Sequence, residues 1–559
     1  MQTQTKQYSD ILNILLCESN LQGKYLNTYE LNDNKASSLL RETRADLQQI
    51  TELGYTPQLR RNFGIWSLLG IGFSLTNCWF GISASLVTGI SSGGPMLIVY
   101  GLIIVAMVSM SIGITLSELA SAMPNAGGQY YWTMKLAPAK YALFAAYFCG
   151  AFAWAGSVFT SISLSIATSL VGMYVLGSGN TSTEPKTWQV FITYEVVNFF
   201  LAFCNFWDAP LPSLSKGALY VSLLSFIVIT ITVLSKASGE FQSAEFVFST
   251  FDNNTGWTSS VVAFLVGLIN PTWLFNGLDC ACHLAEEVVA PEKDIPIAII
   301  GTIIIGFLTS FIYSIAMFFS ITNLESIFES NTGVPILDIF FQVLKSRAGA
   351  IVLQTLIVLT AIGCNITSHT WQARLCWSFS RDNGLPGSRY WSKVNPKLGV
   401  PINAHIMSCC WVAVIGCIYM GSTTAYNALV TACVIFLLLS YVIPTIFLLI
   451  KGRNSISQGP FWFGNFGFVC NCILIIWTIF AFVFFSFPPI MPVTAANMNY
   501  VSVVIVLFSM YAVIYWYARG KYYFNAVGET DKFIRASITQ QLSNQAEQLE
   551  MILSHSTAP

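Results

Sequence analysis

Two stretches decide the architecture: Gly70-Ile-Gly72-Phe-Ser74-Leu-Thr76-Asn77-Cys78-Trp79-Phe80-Gly81 and Gly267-Leu-Ile-Asn270-Pro271-Thr272-Trp273-Leu-Phe275-Asn276-Gly277-Leu-Asp279. Each is apolar enough for a bilayer, yet each places polar and helix-breaking residues at mid-membrane depth. Irregular backbone is tolerated in lipid only where protein or a wet cavity satisfies its hydrogen bonds. One such interruption is compatible with packing glycines or a proline kink. A matched pair, in corresponding positions of two halves of a chain, points to a substrate site between discontinuous helices.

Composition supports the bilayer reading. Of 559 residues 54% are hydrophobic and only 9% charged, against about a quarter charged in a soluble domain. The 41 Phe and 15 Trp exceed what one soluble core can hide. A formal charge of −1 with no dominant basic stretch argues against a nucleic-acid partner, and the apolar excess excludes a soluble enzyme or a disordered scaffold. The fourteen cysteines lie mostly within apolar stretches. Cys280-x-Cys282 has no second Cys/His pair at a zinc spacing, so buried thiols are the expectation, with no metal and no cofactor.

From Gly64 onward, segments near the roughly 20 apolar residues a span needs follow one another. They fall at 64–88, 95–123, 140–176, 188–207, 217–235, 258–285, 296–322, 349–380, 402–420, 426–450, 462–487 and 500–518. The expected fold is an all-α membrane protein of twelve transmembrane helices. Spans one to five and six to ten form inverted repeats, and eleven and twelve are additions. The transporter domain then covers 63–520, between an amino-terminal tail 1–62 and a carboxyl-terminal tail 521–559. The first tail holds seven basic and seven acidic residues up to Arg61 and lacks a signal peptide's apolar core. A surface helix is expected at Ala36–Leu53 and an amphipathic one at Ile538–Leu553. With the amino terminus inside, 22 of the 26 Lys and Arg fall in inner loops or tails, which places both termini in the cytosol. Two glycosylation sequons, at Asn180 and Asn253, fall in outer loops.

Ionisable groups inside spans normally face an interior or a water path. Asp279, His283 and Glu286 stand at i, i+4 and i+7, on one helical face. Asp279 fits three roles: attracting a cation, taking a coupling proton, or capping backbone N–H groups freed by the break. His283, Glu286 and Glu287 also fit a plain cytoplasmic mouth, and Glu195 in the fourth span has no evident role. The third span carries a stripe of Tyr147, Gly150, Trp154, Ser157, Ser161 and Ser165. The eighth carries Cys364, Thr367, Ser368 and Trp371, with His369 beside them. Such stripes serve packing as readily as ligands, but here they adjoin breaks containing Trp79, Phe80, Trp273 and Phe275. Aromatic faces hold a quaternary ammonium, each worth about 0.5–2 kcal/mol, so the chemistry fits a small organic cation or amine.

Three motifs carry a resemblance. The run from Leu53 to Ser67 resembles the approach to the first span of fungal permeases in the amino acid–polyamine–organocation superfamily. Glu118-Leu-Ala-Ser-Ala-Met-Pro124-Asn-Ala-Gly127-Gly128-Gln-Tyr130 is similar to that superfamily's motif after the second span. Ala373-Arg374-Leu-Cys-Trp377-Ser-Phe-Ser-Arg381-Asp382-Asn-Gly384-Leu-Pro386 is similar to its signature after the eighth. Within the superfamily the chain resembles fungal choline permeases, which also take up ethanolamine, through Leu75 to Ser83, Ile90 to Met96, Leu278 to His283 and His369 to Trp377. Ser486-Phe-Pro-Pro and Asn497 to Tyr500 extend the likeness. The first-helix break is bulkier than the glycine motif that receives carboxylates in amino-acid carriers, and Asn276-Gly277 and Cys282 depart from the choline-permease form.

The resemblance implies a LeuT-like 5+5 repeat, uptake across the plasma membrane and a site between helices one, three, six and eight. On that reading Trp79, Phe80, Trp154, Trp273 and Phe275 surround the ammonium, and Asp279 supplies negative charge. Asn77, Thr272 and Asn276 meet a hydroxyl or freed backbone. Driving force comes from the membrane potential, about 2.3 kcal/mol per 100 mV, or from protons carried by Asp279, Glu118 or Glu286. Lys216 is either a mimic of a bound cation or an inner-surface anchor. The alternatives are a permease for 4-aminobutyrate or another amino acid, and a nutrient sensor that does not translocate. No nucleophile–base pair or metal cluster suggests an enzyme.

Overall fold

The computed structural model describes residues 58–160, 162–179, 184–328, 330 and 332–525. The expected helices at Ala36–Leu53 and Ile538–Leu553, the Asn180 sequon and Ser161 fall outside them. The chain divides into units 1–52 and 53–559, and every described residue belongs to the second.

Among the described residues the regular structure is helical, and the extended feature is an isolated parallel bridge between Phe63 and Val288. The first interruption separates α1 (Ile65–Thr76) from α2 (Cys78–Ala122). Helix α2 bends where Ser85, Gly93 and Gly94 leave helical geometry just before Pro95, so it contains the end of the first expected span and all of the second. Next come α3 (Gln129–Leu136), α4 (Ala142–Phe159), α5 (Ser163–Ser178), α6 (Thr187–Ala202) and α7 (Leu211–Lys236). The third expected span is divided at Thr160, whose ψ of 75° is not helical.

The second interruption is larger. Helix α8 (Ser260–Gly267) gives way at Leu268 to α9 (Ile269–Leu274). Pro271 has no N–H to donate to Gly267 and its ring crowds that carbonyl, which breaks the ladder there. After Leu274 the chain turns through Gly277 and resumes as a tight helix at Cys280–Glu287. The remaining long helices are α10 (Pro291–Ser320), α11 (Pro335–Leu344), α12 (Arg347–Arg381), α13 (Ile402–Gly421), α14 (Thr423–Lys451), α15 (Gly464–Phe484) and α16 (Val501–Tyr515).

Eleven helices among the described residues are long and apolar enough to cross a membrane. The sixth expected span, 258–285, is not among them, because its interruption leaves only the short apolar helix Ser260–Leu274. Burial sorts inner from outer helices. In the most apolar window of the α6 region 17% of residues are buried, with Trp188, Ile192, Phe199 and Phe200 exposed, against 67% in the window within α2. An outward face of large apolar side chains is what lipid solvates. Helix α2 packs most extensively on α10 and α4 on α14, while α12 touches α1, α4, α5, α7 and α13. The two broken regions therefore meet beside α12.

Candidate functional site

A helix break frees backbone groups, and here thiols and an asparagine satisfy them. Asn77 turns the chain with φ 32°, a left-handed conformation that Asn tolerates better than most residues, and its N–H donates to Phe73 O at 2.8 Å. The Cys364 thiol on α12 donates to Leu75 O at 3.1 Å. Cys78 donates to Leu274 O at 3.2 Å, which ties the start of α2 to the end of α9. Gly277 has φ +81°, and a Cβ there would lie 2.8 Å from Leu75 Cδ2. Glycine is required both for the turn and for the close approach of the two breaks.

Between these breaks lies a cavity lined by Leu75, Thr76, Phe80, Thr160, Ile162, Trp273, Asn276 and Cys364. None of the eight is charged. The floor is apolar and aromatic, with two hydroxyls and one amide as polar contacts. Asn276 Nδ2 reaches Cys433 Sγ at 3.2 Å and Thr160 Oγ1 at 3.5 Å, so the amide spans from the second break to α4 and α14. The cavity volume is about 10 Å³, room for about one water. An organic ammonium enters only if the lining moves.

The structure brings Phe80, Trp273 and Asn276 to the cavity, whereas Asn77, Trp79, Trp154, Thr272, Phe275 and Asp279 are not among its lining residues. Asn77 Nδ2 and Trp79 Nε1 both donate to Ser222 Oγ on α7, at 3.1 and 3.0 Å. The Trp79 ring is wholly buried, 5.4 Å from Tyr313 and 6.3 Å from Phe226. Thr272 bonds back to Leu268 O at 2.7 Å, and Phe275 packs toward α10 near Gly306. Trp154 meets Trp411 edge-on at 6.4 Å. The stripe on α4 serves packing: Tyr147 lies among Phe379, Trp516 and Phe524, and Ser157 bonds Trp154 O.

Asp279 follows the second break and is fully buried. Tyr441 Oη donates to its Oδ1 at 2.7 Å, and His283 Nε2 lies 3.0 Å from its Oδ2. Glu286 and Glu287 are not open carboxylates. Arg374 grips Glu287 with two bonds of 2.8 and 3.0 Å, both side chains about 1% exposed. Arg381 holds Glu286 at 2.8 and 3.0 Å. Phe63 N–H donates to Glu287 O at 3.1 Å, and Asn62 donates to Asp208 Oδ2 at 2.8 Å. Tyr130 donates to Asp382 Oδ2 at 2.9 Å. This end of the bundle is therefore clasped by two ion pairs between α12 and residues 280–287, with hydrogen bonds from Asn62, Phe63 and Tyr130 beside them.

The other candidates lie away from the cavity. Glu118 accepts from Arg453 at 2.9 Å and from Phe463 N–H at 2.8 Å. Lys216 is exposed, and Glu195 is half-buried over Gly416 of α13. Asn253 folds into its own loop, donating to Trp257 O at 2.8 Å and accepting from Thr255 Oγ1 at 2.6 Å.

Sequence reasoning passed over Thr160, Ile162 and Tyr441. Thr160 carries a signal, three residues after Ser157 on the flagged stripe. Ile162 and Tyr441 carry none, since an apolar run does not reveal which residue turns inward. Among the described residues no group of three His, Cys, Asp or Glu could hold a metal ion.

Comparison with known proteins places these features. Residues 63–508 match the family model described as amino acid permease. A choline transporter of Saccharomyces cerevisiae is 58% identical over 85% of this chain and 84% of its own length. A 7-keto 8-aminopelargonic acid transporter of the same yeast is 37% identical over 81% of this chain and 90% of that protein. A swainsonine transporter of Arthroderma benhamiae is 33% identical over 84% and 93%.

Proposed function

The chain belongs to the amino acid permease family, and from that premise we propose that it is a secondary transporter importing choline, or ethanolamine or a related small amine, by alternating access. The observation that carries the reading is 58% identity to a choline transporter over 85% of the chain, combined with a cavity that offers aromatic faces and no charged group. Phe80 and Trp273 take the ammonium, and Asn276 with Thr160 and Thr76 takes the hydroxyl. A buried cation without a carboxylate partner is held by ring quadrupoles. Asn77, Trp79, Trp154, Thr272 and Phe275 hold the breaks and the floor in shape.

The transporter domain is proposed at 63–520, between tails 1–62 and 521–559. Eleven spanning helices plus the discontinuous sixth make twelve, and breaks in the first and sixth support a 5+5 inverted repeat. The bridge from Phe63 to Val288 pins the start of the first half-helix to the end of the sixth, as the repeat requires if both lie at the same inner surface. We place the protein in the plasma membrane with both termini cytosolic, on the distribution of Lys and Arg, with glycans at Asn180 and Asn253.

The test is labelled choline uptake in yeast lacking its own carrier, with surface expression checked. Saturable uptake competed by ethanolamine and not by 4-aminobutyrate supports the reading. Absent uptake from surface-expressed protein rejects choline, and competition by carboxylated compounds favours an amino-acid permease.

A further inference from the structure

Hydrogen-bond logic at Asp279 shows a group that the cavity does not use. His283 Nδ1 lies 2.8 Å from Ala126 O. A carbonyl oxygen only accepts, so Nδ1 carries a hydrogen. The second ring nitrogen, Nε2, lies 3.0 Å from Asp279 Oδ2. With Nδ1 protonated, Nε2 of a neutral imidazole is an acceptor, and so is a carboxylate oxygen. The contact closes only if one further proton lies between them, either as carboxyl and imidazole or as carboxylate and imidazolium. Without it two lone pairs face each other where both side chains are 0% exposed, which burial makes costly. Tyr441 Oη completes the cluster by donating to Oδ1.

We propose that the Asp279–His283 pair is the coupling site of the transporter, carrying one proton inward with each substrate molecule. The inference rests on the transport reading above and deepens it. The pair links three moving parts. Asp279 and His283 lie on the inner segment of the sixth span, Ala126 precedes the Gly127-Gly128 turn after the second, and Tyr441 belongs to α14. Gly128, with φ +52°, lets that turn close on the imidazole, since a Cβ there would lie 3.1 Å from His283 Cε1. Opening the inner side separates residues 280–287 from Ala126 and wets the pair, and the proton leaves to the cytosol. It is regained through the central cavity when the outer side opens. Proton and substrate thus move in the same direction. The other titratable or charged groups facing the pair are Cys280 and Cys282 beside it, Cys149 from α4, Tyr441 from α14, and the closed Arg374–Glu287 pair from α12 and the segment's end.

Asp279→Asn is the decisive variant. The amide donates to Nε2 and its oxygen accepts from Tyr441, so it reproduces the loaded geometry without a titratable group. In proteoliposomes held at zero potential, wild type is expected to accumulate labelled choline when the outside is acid. The variant is expected to keep choline–choline exchange and to lose pH-driven accumulation about tenfold or more. Wild-type-like accumulation by Asp279→Asn, or wild-type accumulation that ignores the pH gradient, overturns the proposal. A substrate-free titration separates this from failure of the choline reading. Followed with an indicator dye between about pH 5 and pH 9, wild type should bind one proton more than Asp279→Asn. That extra proton without choline transport sinks the substrate and keeps the proton site; equal counts sink the site. Should Asp279→Asn misfold, Tyr441→Phe serves instead. Losing a donor to the carboxylate moves the wild-type pH midpoint of accumulation to higher pH, and an unmoved midpoint counts against the pair.

Discussion

Trp79 and Trp273 sit in the two interruptions and read alike in the sequence, but their surroundings differ. Trp273 lines the cavity, whereas Trp79 spends its N–H on Ser222 and its ring on Tyr313. Trp273→Ala is expected to raise the choline KM about tenfold, the equivalent of about 1.4 kcal/mol of lost cation–π attraction, with surface expression retained. Trp79→Phe is expected to leave KM within about twofold while losing one buried hydrogen bond, about 1 kcal/mol of stability. Uptake kinetics and thermal denaturation of the purified variants check both. The aromatic and amide character of the site was legible in the sequence because residue type alone reports it. Which ring faces the cavity was not, since that depends on the rotation of each half-helix about its axis.

At the scale of elements, the joints between segments hold the charges. Glu287 is paired with a fully buried arginine, and removing one partner of such a pair costs about 3–5 kcal/mol. Glu287→Gln is therefore expected to lower the melting temperature sharply. Replacing both partners by apolar residues, as in Glu287→Leu with Arg374→Met, should recover much of the loss. Asp208, in the connection before α7, responds to pH. Burial first, then the negative charge of Glu287, pushes its carboxyl up to about 6, against a usual value near 4. The folded chain thus keeps this proton over a window where the unfolded chain has lost it. Its contribution favours folding below about pH 4 and is lost as pH rises from about 4 to about 6. Melting temperatures over that window should fall with pH more steeply in wild type than in Asp208→Asn. The segments bearing Arg374 and Glu287 were recognisable from their motifs, but the ion pair joining them was not, because the partners lie 87 residues apart.

For the whole molecule, a cavity with room for about one water means that ligand binding and rearrangement occur together. Choline at about a hundredfold above its Kd should stabilise the purified protein by about 2.7 kcal/mol, seen as a rise in melting temperature that 4-aminobutyrate does not produce. An unchanged melting temperature at saturating choline would speak against a choline site. The sequence by itself determined that this chain lives in lipid, that its helices are interrupted within Gly70–Gly81 and Gly267–Asp279, and that aromatic side chains gather at both interruptions. Apolar run length, helix-breaking residues and charge distribution are local properties, and they survive without coordinates. Only the tertiary structure decided that Thr160 joins Phe80, Trp273 and Asn276, that Trp79 turns to α7, and that Tyr441 from α14 and Ala126 O close on the Asp279–His283 pair. Those outcomes depend on where a carbonyl such as Ala126 O or a hydroxyl such as Ser222 Oγ is delivered by a segment distant in sequence, because a buried polar group takes the partner that packing brings within about 3 Å.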